Sequence, residues 1–171
     1  MDFNLSPEVI RSGLIFYILI VVSLCLRAYA QAWMANRLGD PTPGQAGRLT
    51  LNPLPHMDVL GSVVLPLMFI FILQPALAQL NFFLAWAKPV PVNPANFAHP
   101  WRGFLYTQLA NPIMSALLCL LAALAGAVAM RFDPNLGSIF LSAIFLNACL
   151  FAIDFLPVPP LPGGMLLRHF G

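Results

Sequence analysis

Charged residues are scarce in this chain of 171 residues. Lysine, arginine, aspartate and glutamate together make up 8% of the sequence, against about a quarter in ordinary soluble domains, while 60% of the residues are hydrophobic. The mean hydropathy is accordingly +0.83. Eight basic and six acidic side chains cannot cover the surface of a water-soluble particle of this size, so lipid must cover it. The composition therefore excludes a soluble domain and predicts a membrane protein.

The chain also lacks a run of basic residues and a pair of closely spaced cysteines. Its net charge of +2 is spread along the sequence, which argues against nucleic acid as a partner. Cys25, Cys119 and Cys149 lie in separate apolar runs without a CxxC pair, which argues against a disulfide framework and a thiolate metal cluster. We interpret the three cysteines as small apolar side chains.

Long apolar runs, in contrast, follow one another along the chain. We predict four membrane spans, at about residues 13–35, 59–80, 104–130 and 136–156. The segment KPVPVNP after the second run cannot be helical, because proline lacks the N–H donor and restricts the residue before it. We therefore expect an all-α membrane protein, a single domain over residues 1–171, with about four spans and short extended hairpins or re-entrant loops.

The basic residues do not decide the orientation of these four spans. The N-terminus, the second loop and the tail would share one side of the membrane, and the first loop and the turn between the last two spans would lie on the other. One side would then carry four basic residues and the other three, a difference too small for the positive-inside rule to decide the orientation. The first group is Arg11, Lys88, Arg102 and Arg168, and the second is Arg37, Arg48 and Arg131.

Three stretches are more specific than membrane sequence in general. They read AWMANRLGDPTPGQAGRLTLNPLPHMDVLGS at residues 32–62, WAKPVPVNPANF at 86–97 and FLPVPPLPGG at 155–164. In this order they resemble the site-2 protease family of intramembrane zinc metalloproteases, and the resemblance covers roughly residues 13–168. It implies a helical core with a site below the membrane surface. The expected location is a multi-pass position in the inner membrane of a prokaryote.

The positions that carry the chemistry of that family differ in this sequence. A HExxH motif in the first span there supplies two zinc ligands and a general base, and a late PPLDG motif supplies an aspartate ligand. Arg27 and Gln31 stand here in place of the two histidines, Ala28 in place of the glutamate, and Pro162 in place of the aspartate. A guanidinium has no lone pair for a metal, and alanine cannot accept a proton. The resemblance thus implies a degenerate member with no catalytic residue, metal or cofactor, and we expect the chain not to be an enzyme.

Arg27 has two interpretations, because an unpaired charge at membrane depth is costly. Its long stem could carry the guanidinium to the membrane surface. Alternatively, the guanidinium fills the space that the family gives to zinc. Asp154, the only acidic residue in a predicted span, would then be its counter-ion, with hydrogen bonds from Gln31 and Tyr29.

The loop stretches GRLTLNP and KPVPVNP also have two interpretations. They could seal the core between spans, or their extended edges could bind a partner peptide by strand addition. A substitute metal site at His56 and Asp58 is a further alternative to a hydrogen-bonded loop histidine. The candidate partner-binding residues are Arg48, Asn52, His56, Asp58, Lys88 and Asn93.

Three functions follow from this sequence. The first is a structural or accessory subunit of a larger membrane complex, whose partners are the lipid bilayer and other membrane protein subunits. The second is a regulator that binds a single-span partner without cleaving it. The third is an active intramembrane metalloprotease with an unorthodox site.

Overall fold

Helices make up the regular structure of the chain. The computed structural model describes residues 6–73, 84–157 and 162–164, and within these ranges it contains no β-strand. The helices are α1 (Pro7–Arg37), α2 (Thr42–Gln45), α3 (Leu65–Met68), α4 (Pro100–Ala129) and α5 (Gly137–Ile153). Single turns of 3-10 helix occur at Leu54–His56, Pro94–Asn96 and Pro134–Leu136.

Local signals at both ends define α1. The Ser6 hydroxyl accepts a hydrogen bond from the Val9 N–H, and Pro7 occupies the first helical turn, where its missing donor costs nothing. The helix ends at Arg37, and Gly39 follows with a φ of +106°, a conformation that favours glycine. With 31 residues, α1 is about 46 Å long, which is more than a bilayer core requires.

Three helical segments are long and apolar enough to cross a membrane. They are Pro7–Arg37, Pro100–Ala129 and Pro134–Ile153, the last being α5 with the turn before it. A row of exposed apolar side chains on α4 has no protein to pack on within the described residues, as expected of a lipid-facing surface: Leu117, Leu120, Leu121, Leu124 and Val128. The predicted all-α membrane fold is confirmed.

Tight packing between α4 and α5 depends on a glycine. Gly126 is buried, and a Cβ atom at this position would lie 2.8 Å from Cβ of Phe140. Small residues at such contacts let membrane helices approach closely. α1 completes the core from the other side, where Ile20 and Leu24 pack with Leu146 and Leu150 of α5.

The second predicted span, residues 59–80, takes an unusual form where the structure describes it. α3 lies between two π-helical turns, Val59–Val64 and Phe69–Leu73, and residues 74–80 lie outside the described part of the chain. The two flanks of this segment meet at the same end of the bundle. Trp86 N–H donates to the Gly61 carbonyl at 3.2 Å, and Lys88 N–H donates to the His56 carbonyl at 2.8 Å. Residues 56–61 and 86–88, which lie on either side of the undescribed residues 74–83, are therefore next to each other.

This arrangement changes which loops share a side of the membrane. The loop after α1 contacts the loop before α4, since Asp40 Oδ2 accepts a hydrogen bond from the Asn93 N–H at 2.7 Å. Ala35 near the end of α1 likewise packs against Phe97 and Phe104 at the start of α4. The described parts of the first two loops therefore lie at the same end of the bundle, and not on opposite sides as the four-span arrangement places them. The span at residues 59–80 itself stays a prediction, because residues 74–80 lie outside the described part of the chain.

Candidate functional site

A polar cavity lies between α1, α5 and the extended residues 84–89. The four positions that differ from the family's metal motif all line it: Arg27, Ala28, Gln31 and Pro162. Three of them come from α1, where Arg27 and Ala28 precede Gln31 by four and three residues, spacings that make each of them a neighbour of Gln31 on the helix surface. The cavity measures about 50 Å³, which is room for a few water molecules and is small beside a typical ligand pocket.

An ion pair lies in the wall of this cavity. The Arg27 guanidinium contacts the Asp154 carboxylate through Nη2 and Oδ1, and the two side chains are 7% and 3% exposed. Arg27 precedes the end of α1 by ten residues, or about 15 Å, and its burial shows that the guanidinium lies inside the bundle. Asp154 directly follows α5, so the pair connects α1 to the end of α5.

Side-chain amides form a second polar group beside the pair. Gln31 Nε2 donates to Gln108 Oε1, and Asn111 Nδ2 donates to Gln31 Oε1, both at 3.2 Å. Sequence reasoning did not select Gln108 or Asn111 as site residues. Their spacing of three residues within an uncharged apolar span was an available signal, because it puts both on one face of α4.

Most of the predicted partner-binding residues make hydrogen bonds within their own loops. The Arg48 guanidinium, which is buried, donates to the Pro55 carbonyl. His56 is 1% exposed, with Nε2 lying 2.8 Å from the Thr50 carbonyl oxygen. Asp58 Oδ1 caps the first π-helical turn by accepting from the N–H groups of Leu60 and Gly61.

The other three partner-binding candidates are exposed. Asn52 and Asn93 cap local turns through their side-chain oxygens, which accept from Leu54 N–H and Ala95 N–H. Lys88 lies at the edge of the cavity and is exposed. Of the six candidates, Lys88 alone contributes to the cavity lining, and the role of these loops in partner binding stays a prediction.

Asp40 joins the two loops at this end of the bundle, although it was not selected from the sequence as a site residue. It is fully buried and accepts hydrogen bonds from the Thr42 hydroxyl and N–H, the Asn96 amide and the Asn93 N–H. Burial alone raises the pKa of this carboxyl, but the four hydrogen bonds to its charged form outweigh burial and hold the pKa below its ordinary value.

The residues at the cavity do not fit a zinc ion. Zinc needs three or four nitrogen, sulfur or carboxylate ligands, and in the described part of the chain no three His, Cys, Asp or Glu side chains are close enough to bind one ion. The guanidinium of Arg27 would also repel a divalent cation placed beside Asp154. Pro162, where the resemblance implies an aspartate ligand, has no side-chain donor atom.

Comparison with known proteins identifies bacterial relatives. The chain is 31% identical over 159 residues to the protein named putative zinc metalloprotease YwhC of Bacillus subtilis, an alignment that covers 88% of this chain and 66% of the relative. It is also 31% identical to proteins named putative zinc metalloprotease Rip2 from Mycobacterium tuberculosis and Mycolicibacterium smegmatis, with 84% and 87% of this chain aligned. No family model and no solved structure matches the chain.

These relatives are longer than this chain and correct one expectation. The chain spans 66% of the Bacillus protein and 52–54% of the mycobacterial ones. The expectation that the chain is not an enzyme is contradicted, because the names of its homologues point to a protease. The chain is thus a multi-pass membrane protein homologous to bacterial proteins named as zinc metalloproteases, which supports the site-2-protease-like family.

Proposed function

We propose that this chain is a site-2-protease-like membrane protein that serves as an accessory subunit of a larger membrane complex. One observation carries the proposal. A cavity lies at the expected metal position, and an internal ion pair and side-chain amides form part of its wall. Such a cavity offers hydrogen bonds and shape to another polypeptide and supplies no metal ligand set.

The surface of the bundle supports contact with other membrane proteins. The described residues contain no large polar domain, so the contact areas available are apolar helix faces and the compact loops at one end. The loops are held together by Asp40 and by the hydrogen bonds between residues 56–61 and 86–88. A rigid loop surface of this kind suits a permanently bound partner subunit, because the loops lose little conformational entropy when the partner binds.

A second candidate function is the regulation of a single-span partner that occupies the cavity. The extended residues 84–89 favour it, because they line the cavity while their hydrogen bonds to residues 56 and 61 hold them in place. An extended segment at the edge of a cavity can pair with the backbone of a bound peptide.

Gentle extraction of the full chain with an affinity tag, followed by native mass spectrometry, tests the proposal. A fixed-stoichiometry complex with other membrane proteins is the expected result. Substoichiometric single-span proteins would favour the second candidate. Release as a lone chain under several mild detergents would contradict both, and so would one zinc per chain together with cleavage of a partner that a chelator stops.

A further inference from the structure

Arg48, in the loop after α2, is a buried cation without a counter-ion among the described residues. Its side chain is 6% exposed, and its guanidinium donates a hydrogen bond to the Pro55 carbonyl, which carries no net charge. Arginine does not lose its proton in proteins, so the charge remains. A charge enclosed in this way is costly unless an anion lies against it.

The carboxylates of the described chain do not supply that anion. The sequence has six acidic residues, of which Asp2 lies outside the described part. Asp154 pairs with Arg27. The other described carboxylates form no ion pair with any described cation: Glu8, Asp40, Asp58 and Asp133. The counter-charge of Arg48 is therefore absent from the part of the protein that the structure describes.

The guanidinium is held in place while part of it stays open to a ligand. Among the described residues, no buried side-chain nitrogen without a hydrogen-bond partner belongs to Arg48. The nitrogen atoms that do not donate to Pro55, Nε and Nη2, therefore reach the surface of the loop. The planar fork of a guanidinium fits two oxygen atoms of one phosphate group. Arg48 thus offers an anion N–H donors that are already oriented.

Exposed leucines flank this cation in the loop. Leu51 and Leu54 are 61% and 73% exposed. The loop lies against the side of α1, because the Cys25 thiol donates to the Leu51 carbonyl at 3.3 Å. Cys25 precedes the end of α1 by twelve residues, or about 18 Å, so this contact lies well within the length of a membrane-spanning helix. The surface around Arg48 is therefore both cationic and in reach of lipid.

A phospholipid combines the two chemical groups that this surface lacks, an anion and an apolar cover. We propose that Arg48 binds the phosphate group of an anionic phospholipid, whose acyl chains cover Leu51 and Leu54. Basic side chains beside membrane helices are suited to such head groups. The site lies on the loop and not in the cavity, so it does not depend on the proposed accessory role.

Native mass spectrometry of the full chain in a mild detergent tests this site. Phosphatidylglycerol and phosphatidylcholine with identical acyl chains are added in turn at the same concentrations, and the bound lipids are counted. We expect phosphatidylglycerol to bind about fivefold more tightly, which is the ratio expected for one arginine beside an anionic head group.

Three variants assign the preference to this loop. Arg48→Gln should remove most of it. Arg37→Gln is the matched control, because it removes an exposed cation near the same end of the bundle and should leave most of the preference in place. Leu54→Ser should weaken the binding of both lipids alike, since it removes a contact with the acyl chains.

The unmodified chain provides a second measurement if Arg48→Gln does not fold. Phosphatidylglycerol with a photoreactive head group should cross-link to residues 48–54, and cross-links confined to other parts of the chain would overturn the proposal. Equal binding of the two lipids would also overturn it, as would an equal loss of preference in Arg37→Gln and Arg48→Gln. Inorganic phosphate that stabilises the lipid-free chain as much as phosphatidylglycerol does would show a site for free anions and overturn the lipid assignment.

Discussion

At the scale of single residues, the polar side chains inside the bundle divide into two kinds. Some are fully satisfied by the fold, as Asp40 is by its four hydrogen bonds. Others keep an unpartnered atom, as Arg27, Asp154 and Asn111 do in the cavity wall. The first kind holds loops together, whereas the second kind lines the cavity.

Removing either member of the Arg27–Asp154 pair should destabilise the chain. Arg27→Ala and Asp154→Asn should each cost about 3 kcal/mol in free energy of unfolding, because each leaves its former partner buried without a counter-charge. The double variant Arg27→Leu/Asp154→Leu should cost much less than the sum of the two. Thermal unfolding in a mild detergent measures these costs, with Arg131→Ala, an exposed cation, as the control. Single variants as stable as the unmodified chain would show that the pair contributes nothing.

Asp40 should give the stability a dependence on acidic pH. Because its pKa in the folded chain lies below the ordinary value of 3.8, its contribution is fully present above that value and is lost as pH falls through the lower, folded value. Asp40→Asn should lower the free energy of unfolding at pH 7 by about 1–3 kcal/mol, since its amide cannot accept all four hydrogen bonds.

Thermal unfolding from pH 6 to pH 2.5 compares this variant with the unmodified chain. The difference in stability between the two should shrink below about pH 4, as the Asp40 carboxyl takes up a proton. Asp133→Asn is the matched control, because Asp133 caps the turn at the opposite end of the bundle. A difference that stays constant down to pH 2.5 would contradict the role of the charged Asp40.

At the scale of elements, the extended residues 84–89 are held against the π-helical turn at Val59–Val64. The Ser62 hydroxyl donates to the Trp86 carbonyl at 2.8 Å, and Trp86 N–H donates to Gly61. Gly61 lets the indole ring of Trp86 lie directly on the helix backbone. This contact fixes one wall of the cavity.

Gly61→Ala should therefore disturb the cavity. An added Cβ would lie 2.5 Å from Trp86 Cε2 and Nε1, so the indole ring would have to leave its position on the turn. We expect a loss of about 1–3 kcal/mol in free energy of unfolding together with a shift in tryptophan fluorescence. Gly44→Ala is the control, because its Cβ would meet the end of the flexible Leu49 side chain. Unchanged stability and fluorescence in Gly61→Ala would contradict this packing.

At the scale of the whole molecule, the contact between the loop after α1 and the loop before α4 changes the expected distribution of the basic residues. Arg37, Arg48, Lys88 and Arg102 lie with the loops at the cavity end, whereas Arg11 and Arg131 lie at the other end. Arg168 lies outside the described residues. The end of the bundle with the loops after α1 and before α4, here called the cavity end, thus has four basic residues and the other end has two. By the positive-inside rule this favours the cavity end as the cytoplasmic side.

Cysteine labelling tests this orientation. In a variant whose three native cysteines are replaced by alanine, a single cysteine is introduced at Gln45, at the cavity end, or at Asn135, at the other end. Intact bacterial cells that express the chain are treated with a membrane-impermeant maleimide. We expect labelling of Asn135→Cys in intact cells and of Gln45→Cys only after permeabilisation. The reverse pattern would invert the orientation, and labelling of both in intact cells would contradict placement at opposite ends.

The sequence by itself determined the membrane environment, the all-α class and the likeness to zinc metalloproteases. Composition and the length of an apolar run are properties of the sequence alone, and the loop motifs can be recognised without knowing how the helices pack. The expected site positions could also be read from the sequence, since Arg27, Ala28, Gln31 and Pro162 follow from the order of motifs. The expectation that the chain is not an enzyme rested on the residues at those four positions. It was wrong, because the names of the homologues point to a protease.

Only the tertiary structure decided which loops lie together and what surrounds the cavity. An apolar run such as residues 59–80 has the same hydropathy whether it crosses a bilayer or returns, and the decisive hydrogen bonds join residues 25–32 positions apart. Arg27 and Asp154 are 127 residues apart in the chain, so no local pattern brings them into contact. The same holds for Gln108 and Asn111, whose hydrogen bonds to Gln31 depend on how α4 lies against α1.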